Sequence, residues 1–266
     1  MKNDIKIGLA LSGGATRGLA HVGALEVLEE NNIPIHMVAG TSMGSVVGGL
    51  YAAGRSPKFM RNFAESITPL EERKYIDITI PRMGMIKGSK IEQVIYTLCG
   101  GAKIENLDIP YKAVACCVED NNIVAFDKGS LTSAIRCSIA IPGIFEPVLY
   151  EGKTYVDGGV LERVPVNVVR KMGADYVIAV DVNSRGGLNP KPESIFDVLF
   201  TVFEMMEWQA MEKRTQDADS TIVPMVKHIN PASFRQAKEC IDIGRDAALS
   251  VIDDIKQDLS MMGYSF

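Results

Sequence analysis

Ser42 lies in Gly40-Thr41-Ser42-Met43-Gly44, between the apolar stretch Ile35-His36-Met37-Val38-Ala39 and an apolar run over 43–53. A serine at a strand-to-helix turn, with glycines two residues to either side, has the layout of a nucleophile elbow. The glycines predict a sharp, strained turn, and the following helix start points free N–H groups toward the hydroxyl. That suits chemistry in which an oxyanion builds up. The same five residues also make ordinary βα loops, so the spacing alone leaves a plain turn open.

A second glycine-rich turn, Ser12-Gly13-Gly14-Ala15-Thr16-Arg17-Gly18, follows a strand-like stretch over 5–11 and precedes a helical stretch reaching about Asn31. The order is strand, glycine turn, helix, strand, serine elbow, helix. Two parallel strands of one βαβ unit bring both turns to the carboxyl edge of a sheet, where open α/β folds place their sites. One turn can carry the nucleophile and the other the amides. Glycines in the first turn could instead hold a pyrophosphate. Against that, Ala15 replaces the second glycine of a dinucleotide fingerprint, no P-loop lysine follows, and the second strand ends in Ala39-Gly40 rather than an acidic ribose ligand.

A serine hydroxyl needs a base to take its proton. Of three histidines, His36 reads as a satisfied core residue, His21 as a packing or surface residue, and His228 as the one whose position after Ser42 fits the hydrolase triad order. The competing base is Asp157 in Thr154-Tyr155-Val156-Asp157-Gly158-Gly159. Asp-Gly is also a common turn signal. For a carboxylate to act on an alcohol it must be partly desolvated.

The elements that position these groups read as strands over 5–11, 35–39, 111–118, 123–126, 176–182 and 221–226, with helices between most of them. Residues 130–139 read as a helix stopped by Ile141-Pro142-Gly143, and 150–154 as a hairpin tip. The expected fold class is α/β: a mostly parallel sheet with helices on both faces and one antiparallel excursion. Residues 185–190 are the clearest loop. They precede a helix over 192–214 whose apolar stripe, Ile195, Val198, Leu199, Val202 and Met206, is extended by Phe196, Phe200, Phe203 and Met205. A helix sandwiched in the core is the first reading, and a lid, dimer or membrane-contacting helix the alternative. Residues 232–262 read as one amphipathic helix covering the sheet.

The 266 residues, 47% apolar and 23% charged, suffice for one domain with a full core. We expect a single domain over 1–266, its motifs within about 5–182 and a C-terminal extension over about 190–266. A net charge of −5, a pI of about 5.4 and no long basic run argue against a nucleic-acid partner. The chain runs from Met1 straight into a strand, without a signal-peptide apolar region or an uninterrupted apolar stretch of about 18 residues, so a soluble, cytoplasmic protein is expected. Five cysteines without C-x-x-C spacing predict buried free thiols.

Taken in order, these pieces resemble the patatin-like phospholipases, serine acyl hydrolases that use a Ser–Asp dyad and no histidine. The family's G-G-G-x-R-G matches Gly13-Gly14-Ala15-Thr16-Arg17-Gly18, its G-x-S-x-G matches Gly40 to Gly44, and its D-G-G/A matches Asp157-Gly158-Gly159. Residues 138–145, Ser-Ile-Ala-Ile-Pro-Gly-Ile-Phe, resemble the family's S-x-A-x-P segment. The likeness spans about 5–182 and looks closest to small bacterial members.

The resemblance implies a patatin-like three-layer fold, Ser42 as nucleophile and Asp157 as base. It also implies an oxyanion hole at the Gly13-Gly14-Ala15 turn, with Met43 N–H as a further donor and Arg17 adding positive potential or holding the loop. Ala15 departs from the third motif glycine and would be strained if a positive φ is needed there. No metal or cofactor is implied. The implied substrate is a lipid or other acyl ester, with transient membrane-surface contact and homo-oligomerisation both compatible. A soluble esterase or thioesterase, or a scaffold protein that keeps the hydrolase shape, is the alternative.

Overall fold

The computed structural model describes residues 5–77, 79, 83–182, 191–192, 194–211 and 217–265, with backbone alone at 196 and 208–211. The loop expected over 185–190 lies outside the described residues.

The first half of the chain is built around the predicted βαβ unit: β1 (Ile7–Leu11), a 3-10 turn (Ala15–Leu19), α1 (Ala20–Glu30), β2 (Met37–Thr41) and α2 (Met43–Ala52). There follow α3 (Pro57–Ser66), α4 (Pro69–Lys74), β3 (Gly84–Ile86) and α5 (Ser89–Cys99). Local chemistry sets several of these starts. Ser56 caps α3 ahead of Pro57, and Thr68 and Glu71 form a reciprocal capping box on α4.

β4 (Tyr111–Cys117) and β5 (Asn122–Phe126) make the expected antiparallel pair, followed by α6 (Leu131–Ser138), which Ser130 caps. Next come β6 (Gly143–Phe145), β7 (Val148–Tyr150) and β8 (Lys153–Asp157). The β7–β8 tip carries left-handed residues at Glu151 and Gly152, as a tight hairpin requires. The chain continues through α7 (Val166–Lys171), β9 (Tyr176–Val180), α8 (Ile195–Met211), β10 (Ser220–Ile222), α9 (Ala237–Leu249) and α10 (Ile252–Met261).

The main sheet runs β10-β9-β1-β2-β4-β8-β7, with β5 also on β4. Pairings from β10 to β4 are parallel, and those of β4 with β5 and β8, and of β7 with β8, are antiparallel. β1, β2 and β9 are buried along their whole length, which is why they read as unbroken apolar runs. One large core fills the side of the sheet against α1, α2 and α9. A smaller one lies on the opposite side against α7.

Two expectations are corrected. Residues 232–262 form not one helix but a 3-10 turn (Phe234–Gln236), α9 and α10, with a break at 250–251. On α8, Ile195, Val198, Val202 and Met206 face solvent together with Met205, while Phe200 and Phe203 face the protein. Four of the five stripe residues read as core therefore point outward while Leu199 packs inward, because the buried face of α8 packs on the small cluster Ile86, Ile141 and Ile144 rather than on the main sheet. Among the described residues, no helix is long and apolar enough to cross a membrane.

Candidate active site

β2 ends at Thr41, and Ser42 has φ 52° and ψ −125° before α2 begins. The left-handed strain of the elbow thus sits on the serine itself. Neither Gly40 nor Gly44 has a positive φ, so the expectation that glycine flexibility makes the bend is corrected. They are needed for close approach. A β-carbon on Gly40 would lie 2.2 Å from the Gly44 carbonyl oxygen, and one on Gly44 2.3 Å from that of Leu11. Surrounding hydrogen bonds fix the strained turn: Ser42 N–H donates to Ser138 Oγ at 2.9 Å, and Thr41 Oγ1 donates to the Glu162 carbonyl at 2.8 Å.

Sheet register brings Asp157 to the same place. β2 pairs with β4 as far as Thr41 opposite Val114, and β8, running the other way, pairs from Tyr155 opposite Cys117 to Asp157 opposite Ala115. β5 occupies the other edge of β4 over Ala113 to Cys117. β2 and β8 therefore share one edge, approach from opposite directions, and stop on neighbouring rungs. Asp157 is wholly buried, and its Oδ1 accepts the Gly159 N–H at 2.8 Å. Burial pushes its carboxyl up to about 7, against smaller downward pulls from the Gly159 N–H and the Ser42 hydroxyl. Oδ2 is sealed from solvent and completes no hydrogen bond among the described residues.

The first glycine turn lies directly against the serine: a β-carbon on Gly13 would be 3.4 Å from Ser42 Cβ. Gly13 N–H itself is committed to the Arg163 carbonyl at 3.0 Å, so Gly13 shapes the turn rather than donating to substrate. Among the described residues the N–H groups of Gly14, Ala15 and Met43 make no hydrogen bond outside their own helices. They are the amides available to an oxyanion. Ala15 has φ 47°, the strained conformation its substitution for glycine foreshadows.

Arg17 holds the loop. It is buried and donates through Nε to Ile229 O, through Nη2 to Lys227 O and through Nη1 to Glu204 at 2.6 Å. Gly18 lies under Met43, and Gly158 under the Val114 carbonyl. His21 is buried and bonded to the Ser12 carbonyl at 2.9 Å, with its pKa lowered to about 4 by burial, so it braces the turn as a neutral ring. His36 accepts the Ile7 N–H at 3.0 Å. His228 pairs with Glu239 on the surface at 3.0 Å and takes no part in the Ser42 site.

Ser42 opens into a cavity of about 530 Å³ whose lining is overwhelmingly apolar, including Val47, Leu50, Phe63, Ile95, Ile141 and Phe200. It extends between α2, α3 and α5 and under α8. An acyl chain fits such a space, and the carbonyl end would lie at the serine.

Several residues that shape this site are not apparent from motif spacing. Ser138 is visible in the sequence only as the first residue of the S-x-A-x-P likeness. Arg163 pairs bidentately with Asp181 at 2.6 and 2.9 Å beneath the glycine turn. Glu204 and Glu207 come from α8 and are both buried. Their signal was present as two acids three residues apart in a strongly apolar helix, a spacing that puts both on one face.

The family model described as "Patatin-like phospholipase" matches residues 9–170. An uncharacterized NTE family protein of Mycobacterium tuberculosis is 39% identical over 178 residues, covering 67% of this chain and 49% of that protein. The mouse patatin-like phospholipase domain-containing protein 6 is 36% identical over 185 residues, and Lysophospholipase NTE1 of Candida albicans 35% over 182; each match covers 67% of this chain but only 14% and 13% of those proteins. The chain thus spans about half the length of the mycobacterial relative and a small part of the eukaryotic ones. Among solved structures, VipD from Legionella pneumophila shares the fold with a TM-score of 0.56 at 13% identity, over 94% of this chain and 67% of that one. ExoU in complex with SpcU from Pseudomonas aeruginosa does so with a TM-score of 0.55 at 14% identity, over 96% and 52%. The motif-bearing half of the chain and its three-layer architecture thus agree, and the chain belongs to the patatin-like phospholipase family.

Proposed function

We propose that the protein is a lipid acyl-ester hydrolase of the phospholipase A or lysophospholipase type, working through Ser42 and Asp157. The observation that carries this reading is a strained serine placed between a desolvated carboxyl and unbonded amides at the end of an apolar cavity. In the first step Ser42 Oγ attacks the ester carbonyl while its proton passes to Asp157 Oδ2. The N–H groups of Gly14, Ala15 and Met43 receive the oxyanion. Collapse of the tetrahedral intermediate breaks the ester C–O bond, and Asp157 returns the proton to the departing alcohol or lysolipid. Water, deprotonated by the same carboxylate, then releases the fatty acid and restores the serine. A base pKa near 7 matches proton transfer at neutral pH. The relatives that are phospholipases or lysophospholipases by name favour a lipid substrate, and the outward apolar face of α8 suits brief contact with a lipid surface. Five buried free cysteines suit the reducing cytoplasm.

The test is incubation with a fluorophosphonate followed by intact-mass analysis and peptide mapping, together with assays on lysophosphatidylcholine. We expect one adduct, at Ser42, and none in Ser42→Ala. Asp157→Asn should lose ester hydrolysis while His228→Ala keeps it. Well-folded protein that forms no Ser42 adduct, or an Asp157→Asn variant with near-normal turnover, would overturn the dyad.

A further inference from the structure

The helix that covers the site brings its own carboxyl into it. Glu207, on α8, is 3% exposed, and its Oε1 occupies the space above two glycines: a β-carbon on Gly159 would lie 2.0 Å from it and one on Gly13 3.6 Å. Gly159 supplies the N–H that Asp157 Oδ1 accepts, and Gly13 abuts Ser42. One side chain thus touches both turns of the site.

We propose that Glu207 is a positioning residue that presses the Asp157 turn and the Gly13 turn into register and keeps water off the dyad. The proposal rests on the Ser42–Asp157 reading above. The groups that face Glu207 are Arg163 beyond β8, Asp157 at the end of β8, Asp181 beyond β9 and Glu204 on α8 itself. Of the cations nearby, Arg163 is paired with Asp181, and Arg17 with Glu204. Asp157 and Glu207 stand outside those two pairs. Burial, reinforced by the neighbouring carboxylates and only partly offset by Arg163, raises Glu207 well above the usual carboxylate range. A neutral Glu207 spares Asp157 a second anion and leaves the field around the amides fit for a developing negative charge. An ionised one would do the reverse and loosen α8.

The rate of fluorophosphonate labelling at Ser42, measured against pH for wild type, Glu207→Gln and Glu207→Ala, separates these roles. Thermal melts report whether each variant is folded. We expect wild-type labelling to fall at alkaline pH as Glu207 ionises, and Glu207→Gln, which keeps the shape and stays neutral, to label like wild type at pH 7 but to lack that fall. Glu207→Ala should label roughly tenfold or more slowly, with its acid limb moved about one pH unit or more toward acid as water resolvates Asp157. A folded Glu207→Ala with wild-type rate and profile would overturn the role of Glu207 alone, as would a Glu207→Gln as slow as alanine or with an unchanged alkaline fall. Wild-type protein that shows no adduct at Ser42 would overturn the dyad reading, and Glu207's role with it.

Discussion

The hydroxyl of Ser138 accepts the backbone N–H of Ser42 at 2.9 Å and donates to the carbonyl of Val114 at 2.5 Å. One buried side chain thus ties the elbow to the central strand β4 at the rung where β2 ends. Ser138→Ala leaves a buried donor and a buried acceptor without partners. We expect a loss of about 2–4 kcal/mol in urea unfolding and slower labelling of Ser42. A variant as stable and as reactive as wild type would show that the elbow holds itself.

Under the proposed mechanism, the raised carboxyl of Asp157 sets the pH dependence of activity. The base must be ionised to accept the serine proton, so kcat/KM should rise with pH through a limb near 7. Initial rates on a soluble ester between pH 5 and 8 check this, and a limb near 4 would mean that the base is solvated in the working enzyme.

The same shift has a consequence for stability. Between the ordinary value of 3.8 and about 7 the folded protein keeps a proton that the unfolded chain has lost, so stability falls as pH rises through that window. Asp157→Asn remains neutral. It should be more stable than wild type above pH 7, by up to ~4 kcal/mol, with the difference vanishing toward pH 4. Denaturant unfolding at both pH values measures it.

Ala15 holds φ 47° in the first glycine turn. Ala15→Gly should relieve the strain and raise stability by about 1 kcal/mol, provided the amide keeps its direction. A stabilised variant with unchanged labelling would show that the strain is not needed for the chemistry.

The cavity sets chain-length preference if it holds the acyl group. Val47→Phe projects bulk into the apolar space lined by α2. Displacing about two methylenes, at ~0.8 kcal/mol each, should lower kcat/KM for long-chain esters roughly tenfold while short-chain esters are spared. Equal losses on both would place the acyl chain elsewhere.

The sequence by itself determined the βαβ opening, the parallel core strands and the positions of Ser42 and the glycine turn. Each rests on local rules, whether apolar runs, glycine spacing or proline breaks, that act within a few residues. It also marked Asp157, but as one base among several, because a carboxylate before two glycines reads equally as a turn.

Tertiary structure decided the rest. Only the sheet register sets Asp157 on the rung next to Thr41, across more than a hundred residues of chain, and only burial raises its carboxyl to about 7. The direction of the α8 stripe could not be read either, since a helix apolar beyond one face does not say which side meets protein. Glu204 and Glu207 settle it, because two acids on one face are buried only where Arg17 and the glycine turns receive them. Hydrophobic periodicity is a local property, whereas the charge balance that fixes how this helix lies over the site comes from residues brought together only by folding.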